Sequence, residues 1–228
     1  MKSEKIEHKL FATSVFQTML PKWGIINPKL EEYIYKLKEE DAIGEDRSNY
    51  GGWHSKHLPW DQKPISEFIT LLDPIVSDLG RSLDWEMENY FLGYSTIWSI
   101  INKKRDFNEP HRHGGSILSL AYYVKVPKDN KGGIIYFKDP RIASISRRPM
   151  SKPNSHSLLT KTHAAGHHTI EPKEGLLLIF PGWLEHGVKP NESNEDRIVI
   201  SANINMYPTS IRNDVKEKGT TFPSSIYN

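Results

Sequence analysis

The sequence contains no cysteine. Disulfides, thiolate catalysis, zinc–thiolate sites and iron–sulfur clusters are therefore excluded, and any metal must be held by His, Asp or Glu. Long apolar runs are missing too. Nothing approaches the ~20 residues of a membrane-spanning helix, and Met1 to Leu10 mix Lys, Glu and His without the apolar stretch of a signal peptide. Neither sign of charge dominates: 30 Lys and Arg against 28 Asp and Glu leave +2 with His neutral. A dedicated nucleic-acid or membrane-surface binder would show a basic stripe instead. Internal repeats and low-complexity tracts are absent. The expectation is a cytoplasmic chain that binds neither nucleic acid nor membrane; a homo-oligomer stays open.

The 228 residues suit one large all-β domain with a sizeable core. Two early stretches read as helices. Asn27-Pro28 is a start signal, with Asn as N-cap and Pro at the first helical position, followed by Leu30, Ile34 and Leu37 at helical spacing. From about Pro64 to Leu83, Ile65, Phe68, Leu72, Val76 and Leu79 form a second stripe. Pro74 should kink or split it there, with Asp73 as a cap. Beyond Trp85 the period changes to two. Tyr94, Thr96, Trp98, Ile100 and Asn102 share one face of a strand. Ser116–Val126, Ile134–Phe137, Leu176–Phe180 and Arg197–Tyr207 read as further strands, and Asp139–His168 as a long loop of the kind that is usually functional. Helices followed by many short strands predict a mainly β barrel or sandwich: 1–84 as helical support, 85–210 as barrel core, 211–228 as a tail.

Ten histidines are present, and three have telling positions. His111 and His113 stand at i, i+2, a spacing that in an extended segment puts both rings on one face. His186 lies far downstream, after the run Gly175-Leu-Leu-Leu-Ile-Phe180-Pro-Gly-Trp-Leu-Glu-His186, and Arg197 opens the next strand. Two ligands from one segment and one from a distant strand make a facial set, leaving the opposite face of a metal open. His163, His167 and His168 in the long loop are weaker candidates for substrate contact. His8, His54, His57 and His156 have no partner at a telling spacing, and Asp139-Pro140-Arg141 reads as a turn.

From Tyr94 to Tyr207 the order of motifs resembles the iron(II)- and 2-oxoglutarate-dependent oxygenase superfamily, its prolyl-hydroxylase-like members and a little-characterised bacterial and phage branch of them. The matching segments are Pro110-His111-Arg112-His113, Ser119-Leu-Ala-Tyr122-Tyr123-Val124, Phe137-Lys-Asp139-Pro140-Arg141, Ile179-Phe180-Pro181 through His186, and Arg197; Gly51-Gly52-Trp53-His54-Ser55 also resembles that branch. The resemblance implies a double-stranded β-helix (jelly-roll, cupin-like) with N-terminal helices packed on it. It implies iron(II) held by His111, His113 and His186, with no catalytic residue beyond the ligands. It further implies 2-oxoglutarate as cosubstrate and hydroxylation of a C–H bond on a small molecule or peptide, with release of succinate and CO2.

Arg197 would clamp the distal carboxylate of 2-oxoglutarate, since a guanidinium fork matches a carboxylate with two parallel hydrogen bonds. Tyr123 stands where prolyl hydroxylases offer that carboxylate a hydroxyl. Tyr94, Trp98 and Asn102 would shape the cosubstrate pocket, Ser201 is a second carboxylate candidate, and 139–168 is the candidate lid. The sequence departs from the family at His113, where a carboxylate is usual. Either His113 or a carboxylate such as Glu109 completes the site. Two other readings stay open: a three-histidine dioxygenase that uses no 2-oxoglutarate, and a non-enzymatic metal-binding barrel.

Overall fold

In the computed structural model, which describes residues 11–129, 131–141 and 166–211, the chain builds two antiparallel sheets. Eleven strands are described: β1 Phe16–Met19, β2 Asn49–Tyr50, β3 Trp53–His54, β4 Tyr90–Asn102, β5 Phe107–His111, β6 Leu118–Lys125, β7 Ile135–Lys138, β8 His167–Ile170, β9 Leu176–Pro181, β10 His186–Val188 and β11 Arg197–Pro208. One sheet runs β1-β9-β6-β11-β4-β3 and the other β2-β5-β10-β7-β8. This is a double-stranded β-helix, as the sequence implies.

The central strands are apolar on both faces because both faces are covered. On the outer face of the six-stranded sheet, Leu118, Leu120, Tyr122 and Val124 of β6, Leu177 and Ile179 of β9, and Ile198, Ile200, Ala202 and Ile204 of β11 join one core with the helices. On the inner face, Ala121, Tyr123, Leu178, Phe180 and Val199 join a second core with Ile135 and Phe137 of the opposite sheet. The run Leu176–Phe180 thus feeds two cores at once, which is why it shows no polar alternation.

The helices are α1, Trp23–Glu40, and α2, Ile65–Ser82. α1 begins a turn before the expected Asn27 cap, so that Asn27 and Pro28 lie inside it. The reason is tertiary. Buried Asn27 donates from Nδ2 to the Val124 carbonyl at 2.7 Å and accepts the Tyr122 hydroxyl, tying α1 to β6. Asn27→Ala strands both β6 groups in the core and should cost about 2–3 kcal/mol, seen as a lower urea midpoint at unchanged slope. α2 runs through Pro74 as one helix. Asp73, expected to cap a break there, instead accepts the Tyr94 hydroxyl at 3.0 Å.

Strands β1, β2 and β3 come from the first 84 residues, so that region contributes to both sheets as well as to the helices. These strands and β10 are two to four residues long, too short for a period-2 pattern to be read. The expected 139–168 loop falls mostly on 142–165, outside the described residues, as do His156, His163, His8 and the tail beyond 211. His167 and His168 are not loop residues; they form β8, paired with Lys138 and Phe137 at the sheet edge. No helix among the described residues is long and apolar enough to cross a membrane.

Candidate metal centre and cavity

A cavity of about 580 Å³ opens between the two sheets. His111, the last residue of β5, faces His186, the first of β10, across an antiparallel pair. His113 lies two residues past the end of β5, so a turn rather than strand alternation brings it in. Its backbone N–H donates to the Gly182 carbonyl at 2.8 Å. A Cβ at Gly182 would stand 2.4 Å from the Ser116 carbonyl and 3.0 Å from that of His113, so only glycine lets the two segments approach this closely.

Ligand atoms of the three rings lie within 4.8 Å of one another, and no other such cluster of His, Asp or Glu occurs among the described residues. His111 Nδ1 donates to the Glu109 carbonyl at 2.7 Å, and His186 Nδ1 to the Leu184 carbonyl at 2.9 Å. These bonds fix one tautomer and turn both Nε2 lone pairs into the cavity. Glu109 serves the site through that carbonyl. Its side chain is exposed and lies outside the cluster, so the carboxylate alternative does not hold in this geometry. Glu185 turns away to Arg112 and Lys138, and the adjacent Lys138 ammonium holds its carboxyl below the usual range.

Burial pushes His186 down to about 3, with His111 and His113 adding to the effect. It pushes His113 down to about 4, with His111 adding and the Asn203 side chain opposing. His111 is lowered by burial as well. Neutral imidazoles are the form that binds metal. A folded-state pKa below the unfolded value of about 6.5 gives stability that is present above pH 6.5 and lost as pH falls toward the folded value. The metal-free protein should therefore lose on the order of 3 kcal/mol between pH 7 and 4 from His186 alone. Urea midpoints across that range check this, with His186→Gln flattening the profile.

Arg197, which is 2% exposed, also lines the cavity. Its Nη1 donates to Asn102 Oδ1 at 2.9 Å, and its guanidinium carbon sits 5.1 Å from the centre of the Tyr123 ring. No ion pair to Arg197 is formed among the described residues. Arg197 Nε, Asn102 Nδ2 and the Tyr123 hydroxyl are buried without a hydrogen-bond partner among the described residues. Proximity to Arg197 lowers the Tyr123 pKa somewhat against the dominant upward push of burial, but no well-formed bond joins them.

Of the remaining expected site residues, Trp98 and Ser201 line the cavity. Tyr94 does not. Asn203 pairs with Thr96 and Ile204 with Tyr94, so Ser95 is an extra residue in β4, a β-bulge. The bulge turns Tyr94 to the helix side, where it is 7% exposed and bonded to Asp73 of α2. Sequence reasoning missed His54 and Asn203, which also line the cavity. The Gly51–Ser55 resemblance was the available signal for His54. Asn203 had none beyond its face, shared with Arg197 and Ser201.

Residues 96–203, which carry all three histidines and Arg197, match the model of a family described as "Putative 2OG-Fe(II) oxygenase". No curated protein matches the sequence. Among solved structures the chain is similar to a Pseudomonas putida prolyl-4-hydroxylase (13% identity, 86% of this chain and 94% of that one, TM-score 0.59). It is also similar to a Trichoplax adhaerens prolyl hydroxylase in complex with a hypoxia inducible factor peptide fragment (14%, 90% and 88%, TM-score 0.57). A third is the viral collagen prolyl hydroxylase of Paramecium Bursaria Chlorella virus-1 in its 2OG complex (14%, 83% and 94%, TM-score 0.51). At these identities the structures speak for the fold, and the family match speaks for the barrel that bears the site. Over residues 96–203, a little under half of its length, the chain is similar to the 2OG-Fe(II) oxygenase family.

Proposed function

We propose that the chain is an iron(II)- and 2-oxoglutarate-dependent dioxygenase that hydroxylates a C–H bond. Its metal would be held by His111, His113 and His186, and the distal carboxylate of 2-oxoglutarate by Arg197 with Tyr123. One observation supports the cosubstrate above the rest: the buried Arg197 guanidinium lines the same cavity as the histidine cluster, with no ion-paired carboxylate among the described residues and with orphaned Tyr123 and Asn102 groups beside it. An uncompensated buried charge is costly. A dicarboxylate reaching from the metal to Arg197 would compensate it.

Once bound, iron(II), 2-oxoglutarate and O2 together supply the oxidising chemistry, with succinate and CO2 as coproducts. The chain supplies the rest. The Glu109 and Leu184 carbonyls hold the His111 and His186 rings in their ligating tautomer. Phe180 packs edge-on against His186 with ring centres 4.6 Å apart, and Phe137 and Val199 continue the apolar wall, keeping water off the reacting atoms. Trp98, Ser201 and Asn203 border the space left for substrate. The prolyl-hydroxylase neighbours, one bound to a peptide fragment, make peptidyl side chains the first substrate class to screen and small molecules the second.

Anaerobic addition of iron(II) and then 2-oxoglutarate to the metal-free protein should produce a visible metal-to-ligand charge-transfer band. Iron binding without that band would point to a three-histidine dioxygenase that uses no 2-oxoglutarate. Absence of iron binding would leave only a barrel with a structural role.

A further inference from the structure

The three histidines are not held alike. His111 and His186 sit on paired strands, and each is locked by a carbonyl two residues before it. His113 lies beyond its strand, and among the described residues no backbone carbonyl holds its ring in that way; its hydrogen-bonding contact is the Asn203 side chain. What covers its face is an indole. Trp98 lies nearly parallel to His113, with centroids 5.5 Å apart and planes 20° apart. His54 also stacks on Trp98, at 5.7 Å and 12°. With His186 stacked on His113 at 5.1 Å and 10°, near-parallel contacts link four rings that line the cavity.

Both supports are fixed in place. Trp98 stands in the long central strand β4, paired with Ser201. His54 is in β3, paired with Ile100, and its Nδ1 bonds the Ser55 carbonyl at 2.7 Å. Offset stacking favours this spacing and resists rotation of the ring about its side-chain bonds. A carboxylate in the third position could be oriented by hydrogen bonds to both oxygens; an imidazole has one ring nitrogen left for that once the other ligates.

Resting on the three-histidine centre proposed above, we infer that Trp98, backed by His54, is the positioning residue for the third ligand, His113. The stacked indole, alongside the Asn203 side chain, takes the place of the backbone-carbonyl bond that orients each of the other two ligands.

Cobalt(II) titration of the metal-free full chain, followed by its visible d–d bands, tests this without turnover. Removing a group that orients a ligand typically costs 10–100-fold in metal affinity. Trp98→Leu should weaken cobalt(II) binding by about that factor and shift the bands toward those of His113→Ala. Trp98→Phe keeps a flat face and should recover most of the loss. His54→Ala should give a smaller loss in the same direction. The decisive comparison is the double variant: once His113 is alanine, Trp98→Leu should cost nothing further, because the interaction it removes is already gone. Metal-free unfolding midpoints show that each variant is folded, and Trp98→Phe keeps the question answerable if the leucine variant is not.

Wild-type affinity and bands in Trp98→Leu would overturn the inference, as would a loss that adds in full to that of His113→Ala. The underlying metal centre fails in a different way: wild-type protein takes up no cobalt(II), or His186→Ala takes it up equally well.

Discussion

His186→Ala should abolish iron(II) binding while leaving a folded barrel. His186 is the most buried ring of the three, at 5% exposure, and its Nε2 lies 3.3 Å from that of His113. That short distance between two neutral nitrogens is what a shared cation would span. Removing an orienting partner costs 10–100-fold in affinity, so losing the ligand itself should cost about 1,000-fold or more. The fold should suffer less. The missing ring leaves a hole beside Phe180 and Phe137, worth ~2–3 kcal/mol on large-to-small precedent, partly offset at acid pH because a depressed imidazole has gone. Isothermal titration with iron(II) under argon, alongside urea unfolding of the metal-free proteins, separates the two effects. Wild-type iron affinity in this variant would sink the proposed centre.

The second large effect runs in opposite directions for stability and function. Arg197→Met should raise the unfolding midpoint of the metal-free protein and remove 2-oxoglutarate binding. Arg197 is a buried charge without an ion pair among the described residues, and its Nε is unsatisfied. Replacing buried ionic groups by apolar side chains of similar volume is often stabilising by about 1–4 kcal/mol. The lost bond to Asn102 Oδ1 subtracts about 1 kcal/mol. A net gain of about 1–2 kcal/mol is expected. Charge-assisted hydrogen bonds to a carboxylate are each worth about 1.5–3 kcal/mol, so the concentration of 2-oxoglutarate needed to develop the charge-transfer band should rise about 100-fold or beyond. Stabilisation with cosubstrate affinity retained would show that Arg197 is not the clamp. Such a trade of stability for binding is common where a site must hold a charge ready.

Much of the site could be read from the sequence because the chemistry-bearing residues sit at strand ends with few options. The apolar run before His186 fixes a buried strand, and β10 follows it after a tight turn. Arg197 begins a strand whose alternation is unbroken up to Asn203. The pairing partners were not legible. β1, β2 and β3 are recruited by edges of sheets whose other strands lie far away in sequence, so no local pattern marks them. His54 enters the cavity only through such a pairing. Asn27 failed as a cap because a polar residue at a helix start and a polar residue bridging helix to sheet look the same in one dimension. His167 and His168 form an exposed edge strand, where nothing apolar need alternate.

The bulge at Ser95 divides β4 into two stretches with opposite facing. After it, Thr96, Trp98 and Ile100 turn toward the cavity; before it, Tyr94 turns toward α2. One inserted residue thereby lets a single strand serve two tenants, a scaffold contact and a site wall, without mutual constraint. Variation at Tyr94 is answered by Asp73 and the helix layer, and variation at Trp98 by the rings beside the metal. A deletion at this position would couple them. With the pairing from Thr96 onward kept, Tyr94 would swing inward and leave Asp73 without its hydroxyl partner. The tolerance of this barrel to insertions and deletions should therefore be lowest at one half-buried serine that lines no part of the cavity.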